Sequence, residues 1–252
     1  MKKIGYENLY NRREEYKINE LHGDVCLLTA GVSIQTDRVE IEIVGWCKDR
    51  SSYSIDYRVI EGDIADVAVW NKLAELLDER WKRPNGLDVP IRIMAIDSGY
   101  NALRVFAFCL QSYPYRVVPV KGLKKLKMVF SAPKTVEIIR AKKRIGKVRL
   151  FGVGISYLRS ELNSWLRLEK DENGVAPPCY CHFPQYAEHY FRGLTAKQKL
   201  CERIGPLECR IFARAAASIA GLDILRPERL EQIGGIVTVK GMPDGIEVGR
   251  IN

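Results

Sequence analysis

The sequence predicts an α/β fold, a mixed sheet flanked by helices, and three observations carry that prediction. A mostly apolar run from Val25 to Gln35 is followed at once by an alternating one from Arg38 to Cys47. From Asp66 onward, segments with helical apolar spacing take turns with short apolar runs of strand length. The chain has 252 residues and is 46% hydrophobic, enough to bury one substantial core and too apolar for wholesale disorder.

Taken in order, residues 1–24 are charged and weakly periodic, with Asn8-Leu9-Tyr10-Asn11-Arg12-Arg13-Glu14 at their centre, and read as a linker or arm outside the core. Val25 to Gln35 suits a buried central strand, and Thr36-Asp37 is a turn. Arg38 to Cys47 sets Val39, Ile41 and Ile43 against Glu40 and Glu42, so it completes a hairpin with the glutamates on an outward face. A third strand follows over Ser52 to Glu61. Val69, Leu73, Leu76 and Leu77 then mark a helix from Asp66 to Trp81 that ends at the breaker Arg83-Pro84-Asn85-Gly86. A fourth strand, Ile91 to Ile96, stops at Asp97-Ser98-Gly99. Leu103, Phe106, Ala107 and Leu110 predict the next helix, and Arg116 to Val120 a fifth strand. Beyond a basic segment come a strand from Val148 to Ile155, a helix near Ser160 to Leu168, a polar loop, and an alanine-rich helix from Leu207 to Ala220. Three meandering strands, then alternating helices and strands, then a late helix, is the order of a ribonuclease-H-like α/β domain. That domain is placed over residues 25–222, with residues 223–252 as a tail that forms a short hairpin or a disordered end.

No apolar stretch approaches the roughly 20 residues needed to span a bilayer, and the amino terminus lacks an apolar signal core. No membrane partner is expected, and the protein is read as soluble. Seven irregularly spaced cysteines fit a reducing compartment better than a disulfide framework. Cys179-Tyr180-Cys181-His182 lacks a second ligand pair at zinc spacing and is read as structural. Trp70 and Trp81 are read as core and boundary residues.

Charge is unevenly spread. Residues 116–149 hold twelve Lys and Arg against one acid, Glu137, which exceeds the net charge of +9 for the whole chain. Lys121, Lys124, Lys125, Lys127, Lys134, Arg140, Lys142, Lys143, Arg144 and Lys147 are the candidate contacts to a polyanion such as double-stranded DNA. A solvated basic loop without a partner has the same composition.

Phosphodiester cleavage by two divalent cations needs carboxylates that hold the ions about 3.5–4 Å apart. A ribonuclease-H-like fold draws those carboxylates from the first strand, the end of the fourth and a late helix. Asp97 ends the fourth strand beside a glycine, as a ligand or as a turn cap. Glu208 opens the late helix, as a ligand or as a partner of the helix dipole. The first strand breaks the pattern, because Ala30-Gly31-Val32-Ser33-Ile34-Gln35 offers the neutral hydroxyl of Ser33. Asp37 or Glu42 could compensate only if the strand register turned one of them inward.

Asn8-Leu9-Tyr10-Asn11-Arg12-Arg13-Glu14, Leu28-Thr29-Ala30-Gly31-Val32, Val44-Gly45-Trp46, Ile55-Asp56-Tyr57, Ile96-Asp97-Ser98-Gly99, Lys121-Gly122, Val153-Gly154, His182-Phe183-Pro184 and Leu207-Glu208-Cys209-Arg210 occur in one order over about residues 8–221. Together they resemble the nuclease half of the lambda-type phage terminase large subunit. The resemblance implies a DNA endonuclease dependent on Mg²⁺ or Mn²⁺, acting in the cytoplasm of a bacterial host during viral DNA packaging. Its implied partners are DNA and a small terminase subunit, the portal or a separate ATPase chain. The sequence contains no G-x-x-x-x-G-K-[ST] loop, so no ATP site is expected here. By the same resemblance, Asp97 matches a family acid and Glu208 stands where the family usually has Asp, while Ser33 and Ser156 each replace an expected Asp. Cleavage is therefore expected to be weakened or lost, unless the ligands are rearranged around Asp97 and Glu208 or the domain serves only as a packaging interaction module.

Overall fold

The computed structural model describes residues 4–112, 116–140, 143–196, 205–226, 229, 230 and 232. In chain order it contains α1 (Tyr6–Asn11), β1 (Leu27–Ile34), β2 (Arg38–Trp46), β3 (Ser52–Glu61), α2 (Val67–Asp78), β4 (Trp81–Lys82), β5 (Asp88–Val89), β6 (Ile91–Asp97), α3 (Ala102–Gln111), β7 (Val117–Leu123), β8 (Lys134–Arg140), β9 (Lys143–Gly154), α4 (Ile155–Trp165), β10 (Cys181–His182), α5 (Glu188–Thr195) and α6 (Gly205–Ile219). Eight strands form one mixed sheet in the order β10-β3-β2-β1-β6-β7-β9-β8, and β4 pairs with β5 apart from it. The meander β1-β2-β3 is antiparallel, whereas β1, β6, β7 and β9 run parallel, so their carboxyl ends lie along one edge. This is the predicted ribonuclease-H-like α/β class.

Helices α2 and α3 cover one face of the sheet and α1, α4, α5 and α6 the other, each over its own apolar cluster. The closest helix-to-sheet approach is made by α6 on β1. A Cβ on Gly31 would lie 1.9 Å from the carbonyl oxygen of Cys209 and 2.4 Å from the amide nitrogen of Ala213, so only glycine fits there. Thr29 donates its hydroxyl to the Ala213 carbonyl at 2.8 Å and accepts the Trp46 indole N–H at 2.8 Å, which fixes the register of helix against sheet. The alanines of α6 matter for the same reason: Ala213, Ala215, Ala216 and Ala217 are fully buried, and larger side chains would hold the helix away.

Four departures from the sequence reading have local causes. The expected arm contributes to the core: Leu9 on α1 is fully buried, and the Arg12 and Arg13 guanidiniums donate to the carbonyls of Leu168 at 2.6 Å and Tyr186 at 2.8 Å. Much of the basic segment is a hairpin, β8 against β9, and not an open loop. Helix α4 begins at Ile155, five residues before the expected start, directly from β9 and without a side-chain cap. The polar loop before α6 contains α5, whose Tyr190, Phe191 and Leu194 are buried. Among the described residues no helix is long and apolar enough to cross a membrane, and the six described cysteines carry free thiols. Trp70 and Trp81 are buried, as the sequence suggested, and His182 has a structural setting, stacked on Tyr53 at 4.0 Å and bonded through Nδ1 to Glu14 at 2.9 Å. Residues 233–252 of the tail lie outside the described residues.

Candidate active site

Three of the four predicted site positions meet through the topology. Val32 of β1 pairs with Ile96 of β6, so the next residues along each strand, Ser33 and Asp97, stand side by side at the carboxyl edge. Both side chains are buried, on the face that α6 covers. Because α6 sits so close over Gly31, its first full turn brings Glu208 above Ser33, and the Ser33 hydroxyl donates to Glu208 Oε2 at 2.8 Å. Asp97 accepts the Gly99 amide at 2.9 Å, and Ser98 holds the strand end by donating to the Val120 carbonyl at 2.8 Å. Ser156 lies two residues past the end of β9, in the first turn of α4, and is exposed.

Two residues on this edge escaped the sequence reading. Arg159 follows Ser156 by three positions, one helical turn, so it shares that face of α4. Burial pulls its guanidinium below the ordinary arginine value and the Glu208 carboxylate acts in the opposite direction, so the two charges share one neighbourhood. Glu40 is the second. It pairs across the strands with Ser33 and is buried on the same side. Its carboxylate accepts from Gln35 Nε2 at 2.6 Å, Arg38 Nε at 2.8 Å and the Tyr57 hydroxyl, and it abuts Gly205 at the start of α6.

Glu42, expected on an outward face, points inward as well. It is fully buried and accepts at Oε1 from Arg210 Nη1 at 2.8 Å, Ser54 Oγ at 2.7 Å and the Tyr190 hydroxyl at 2.7 Å. The alternation along β2 was read correctly but its polar face is not solvated, because α6 lies over it and supplies Arg210. Asp37 is exposed in its turn, paired with Arg38 at 3.1 Å. Glu42 is spent on Arg210 in the core and Asp37 is paired with Arg38 in the turn, so neither compensates for Ser33.

The donor set at the edge does not fit two divalent cations. Asp97, Glu208 and a neutral hydroxyl that already spends its proton on Glu208 supply too little negative charge for hard cations, which favour several anionic oxygens, and the Glu40 carboxylate is taken up by Gln35, Arg38 and Tyr57. Among the described residues no three His, Cys, Asp or Glu side chains are grouped to hold a metal ion.

The basic segment divides in two. Lys121 follows Val120, the β7 partner of Asp97, and the chain from Lys124 to Lys127 crosses the carboxyl end of β9, where the Val129 carbonyl accepts the Gly154 amide at 3.0 Å. Lys121, Lys124, Lys125 and Lys127 are therefore exposed along the same edge as Asp97. Lys143 and Arg144 lie at the other end of β9, and from Arg144 to Gly154 the strand rises roughly 33 Å. Lys134 and Lys147 are exposed between the two ends, and Arg144 is paired with Glu137 at 3.0 Å. The strand β8 ends at Arg140, and Lys142 lies outside the described residues. Arg116 belongs to the framework, donating to the carbonyls of Leu77 and Ile91 at 2.8 and 2.9 Å.

Residues 2–228 match the family described as terminase large subunit gpA, endonuclease domain. Over 195 residues the chain is 26% identical to the large subunit of terminase from Escherichia phage lambda, an alignment covering 77% of this chain and 29% of that protein. The chain thus spans less than a third of the length of that relative. No solved structure matches the chain.

Proposed function

The chain belongs to the terminase large subunit gpA endonuclease-domain family, and from that premise we propose that it is a DNA-packaging nuclease domain that holds duplex DNA and has lost most or all of its metal-dependent cleavage. Family membership carries with it viral DNA packaging and, in general, a nuclease that depends on divalent metal. The observation that carries the finer reading is the Ser33 hydroxyl bonded to Glu208 at 2.8 Å, where the family pattern puts an aspartate. A hydroxyl in that place neither attracts a cation nor activates water, and each 1.4 kcal/mol of lost transition-state stabilisation slows cleavage about tenfold.

DNA binding is supported by the exposed Lys121, Lys124, Lys125 and Lys127 beside this edge, because lysines that neutralise phosphates release counterions. Duplex DNA tracking along β9 would reach Lys134, Lys147, Lys143 and Arg144 in turn. Which packaging proteins accompany the chain, whether a small terminase subunit, a portal or a separate ATPase, belongs to the same proposal.

Plasmid nicking by the purified chain with Mn²⁺ or Mg²⁺ against EDTA, beside Asp97→Ala, tests the reading. Nicking at background level together with duplex binding that weakens steeply with salt is the expected result. Robust metal-dependent nicking abolished by Asp97→Ala would instead establish a working nuclease with a rearranged ligand set.

A further inference from the structure

We infer that Arg159 takes the electrostatic place of a divalent cation at the carboxyl edge of the sheet, so that this edge grips a DNA backbone phosphate through an arginine and without metal. The inference rests on the DNA-binding reading above and names what holds the phosphate at that same site.

The charge balance points to it first. The family resemblance implies carboxylates at positions 33, 97, 156 and 208, a set that needs divalent cations to offset its mutual repulsion. Here positions 33 and 156 are serines, which leaves Asp97 and Glu208, with the guanidinium of Arg159 in electrostatic reach of Glu208. In place of two bound metal ions, one fixed positive charge offsets half of the charge of those two carboxylates. A guanidinium cannot be lost to a chelator, and it is charged at every working pH.

Position and geometry point the same way. Arg159 stands one turn after Ser156, on the same face of α4, and long side chains on a helix lean toward its amino end. That lean carries the guanidinium toward the sheet edge. Contacts between α4 and α6, including the Arg214–Glu161 ion pair at 3.0 Å, keep the two helices side by side. Glu208 is accordingly within electrostatic reach of Arg159. Arg159 Nε is buried without a hydrogen-bond partner among the described residues, so that N–H is not spent on the framework. Both α4 and α6 present their amino ends here, and α4 has no side-chain cap, so backbone N–H groups add to the positive potential. The planar guanidinium matches two phosphate oxygens, which a metal-free grip requires.

Anisotropy of a fluorescein-labelled duplex, measured in EDTA and in MgCl₂ at matched ionic strength, reads the inference directly. The unsubstituted chain is expected to bind equally well in both, and Arg159→Gln to bind about tenfold more weakly, as for the loss of one charge-assisted contact. Arg159→Lys should recover part of that loss by keeping the charge without the fork. Calorimetric titration of the unsubstituted chain with MnCl₂, which needs no variant to fold, should show no saturable binding. Duplex affinity unchanged in Arg159→Gln, tightening by Mg²⁺, or stoichiometric Mn²⁺ uptake would each overturn the inference and leave the DNA-binding reading standing. An unsubstituted chain that binds no duplex would remove that reading itself.

Discussion

Helix α6 meets the sheet at two levels that use charge in opposite ways. At the inner level Arg210 reaches Glu42, and both are essentially without solvent exposure, at 1% and 0% of their side-chain surface. Hydroxyls from Ser54 and Tyr190 join them, and the Phe183 ring lies 5.1 Å from the guanidinium. At the outer level, two residues back along the same helix, Glu208 meets Ser33 at an edge bordered by Asp97, Arg159 and exposed lysines. The inner pair is closed to solvent, which marks it as structural. The outer group is only part-buried and sits where four parallel strands end, which is where a ligand can enter. An ionised side chain on α6 is therefore no sign of function by itself; the openness of its surroundings separates the two cases.

Removing the inner arginine gives the largest expected effect. Arg210→Ala strands the Glu42 carboxylate in the core and should cost about 3–5 kcal/mol in chemical denaturation. Glu208→Gln, which keeps a partner for Ser33, should cost about 1 kcal/mol or less. Equal losses for the two would erase the distinction between the levels.

A smaller effect sharpens the comparison from the outer side. Ser33→Asp with Ser156→Asp places new carboxylates beside Glu208 and should lower stability by about 1–2 kcal/mol in EDTA through like-charge repulsion. Mn²⁺ should then raise the melting temperature of the double variant by mass action and leave that of the unsubstituted chain in place. If Mn²⁺ stabilises both alike, the serines have not emptied the site of its metal affinity.

The smallest effect lies away from both levels and serves as a control. Burial pushes the Glu14 carboxyl up, but the hydrogen bond and charge of His182, with Lys170, outweigh it and leave Glu14 below its ordinary value. A depressed carboxyl stabilises the fold above the ordinary carboxylate range near 4.3, and that contribution is lost as pH falls through the folded value. Glu14→Gln should flatten the acid limb of the stability profile by about 0.5–1 kcal/mol, without changing duplex binding. An altered affinity for DNA would extend the functional surface to the opposite end of the sheet.

Sequence alone determined the long elements from β1 to β7 and the late helix, together with their order, while α1, β8 and α5 went unread. The helical spacing from Val69 to Leu77, the apolar run of β1 and the strand that stops at Asp97 are short-range signals, because periodicity reflects which face of a single element avoids water. The motifs that carry the family resemblance are short-range as well, and they single out Ser33, Asp97, Ser156 and Glu208 from the sequence alone. What surrounds those residues was not legible. Glu40 and Glu42 read as a solvated face because nothing in β2 says that a helix more than 160 residues later will cover it with Arg210. Arg159 was hidden because the start of α4 comes straight out of β9 with no capping side chain to mark it. The basic segment looked like one stripe because composition has no geometry, and the length of β9 separates its two ends. Only the tertiary structure decides such matters. Burial and proximity of charge depend on which distant segment packs against a strand, and close approach at a residue such as Gly31 sets that packing.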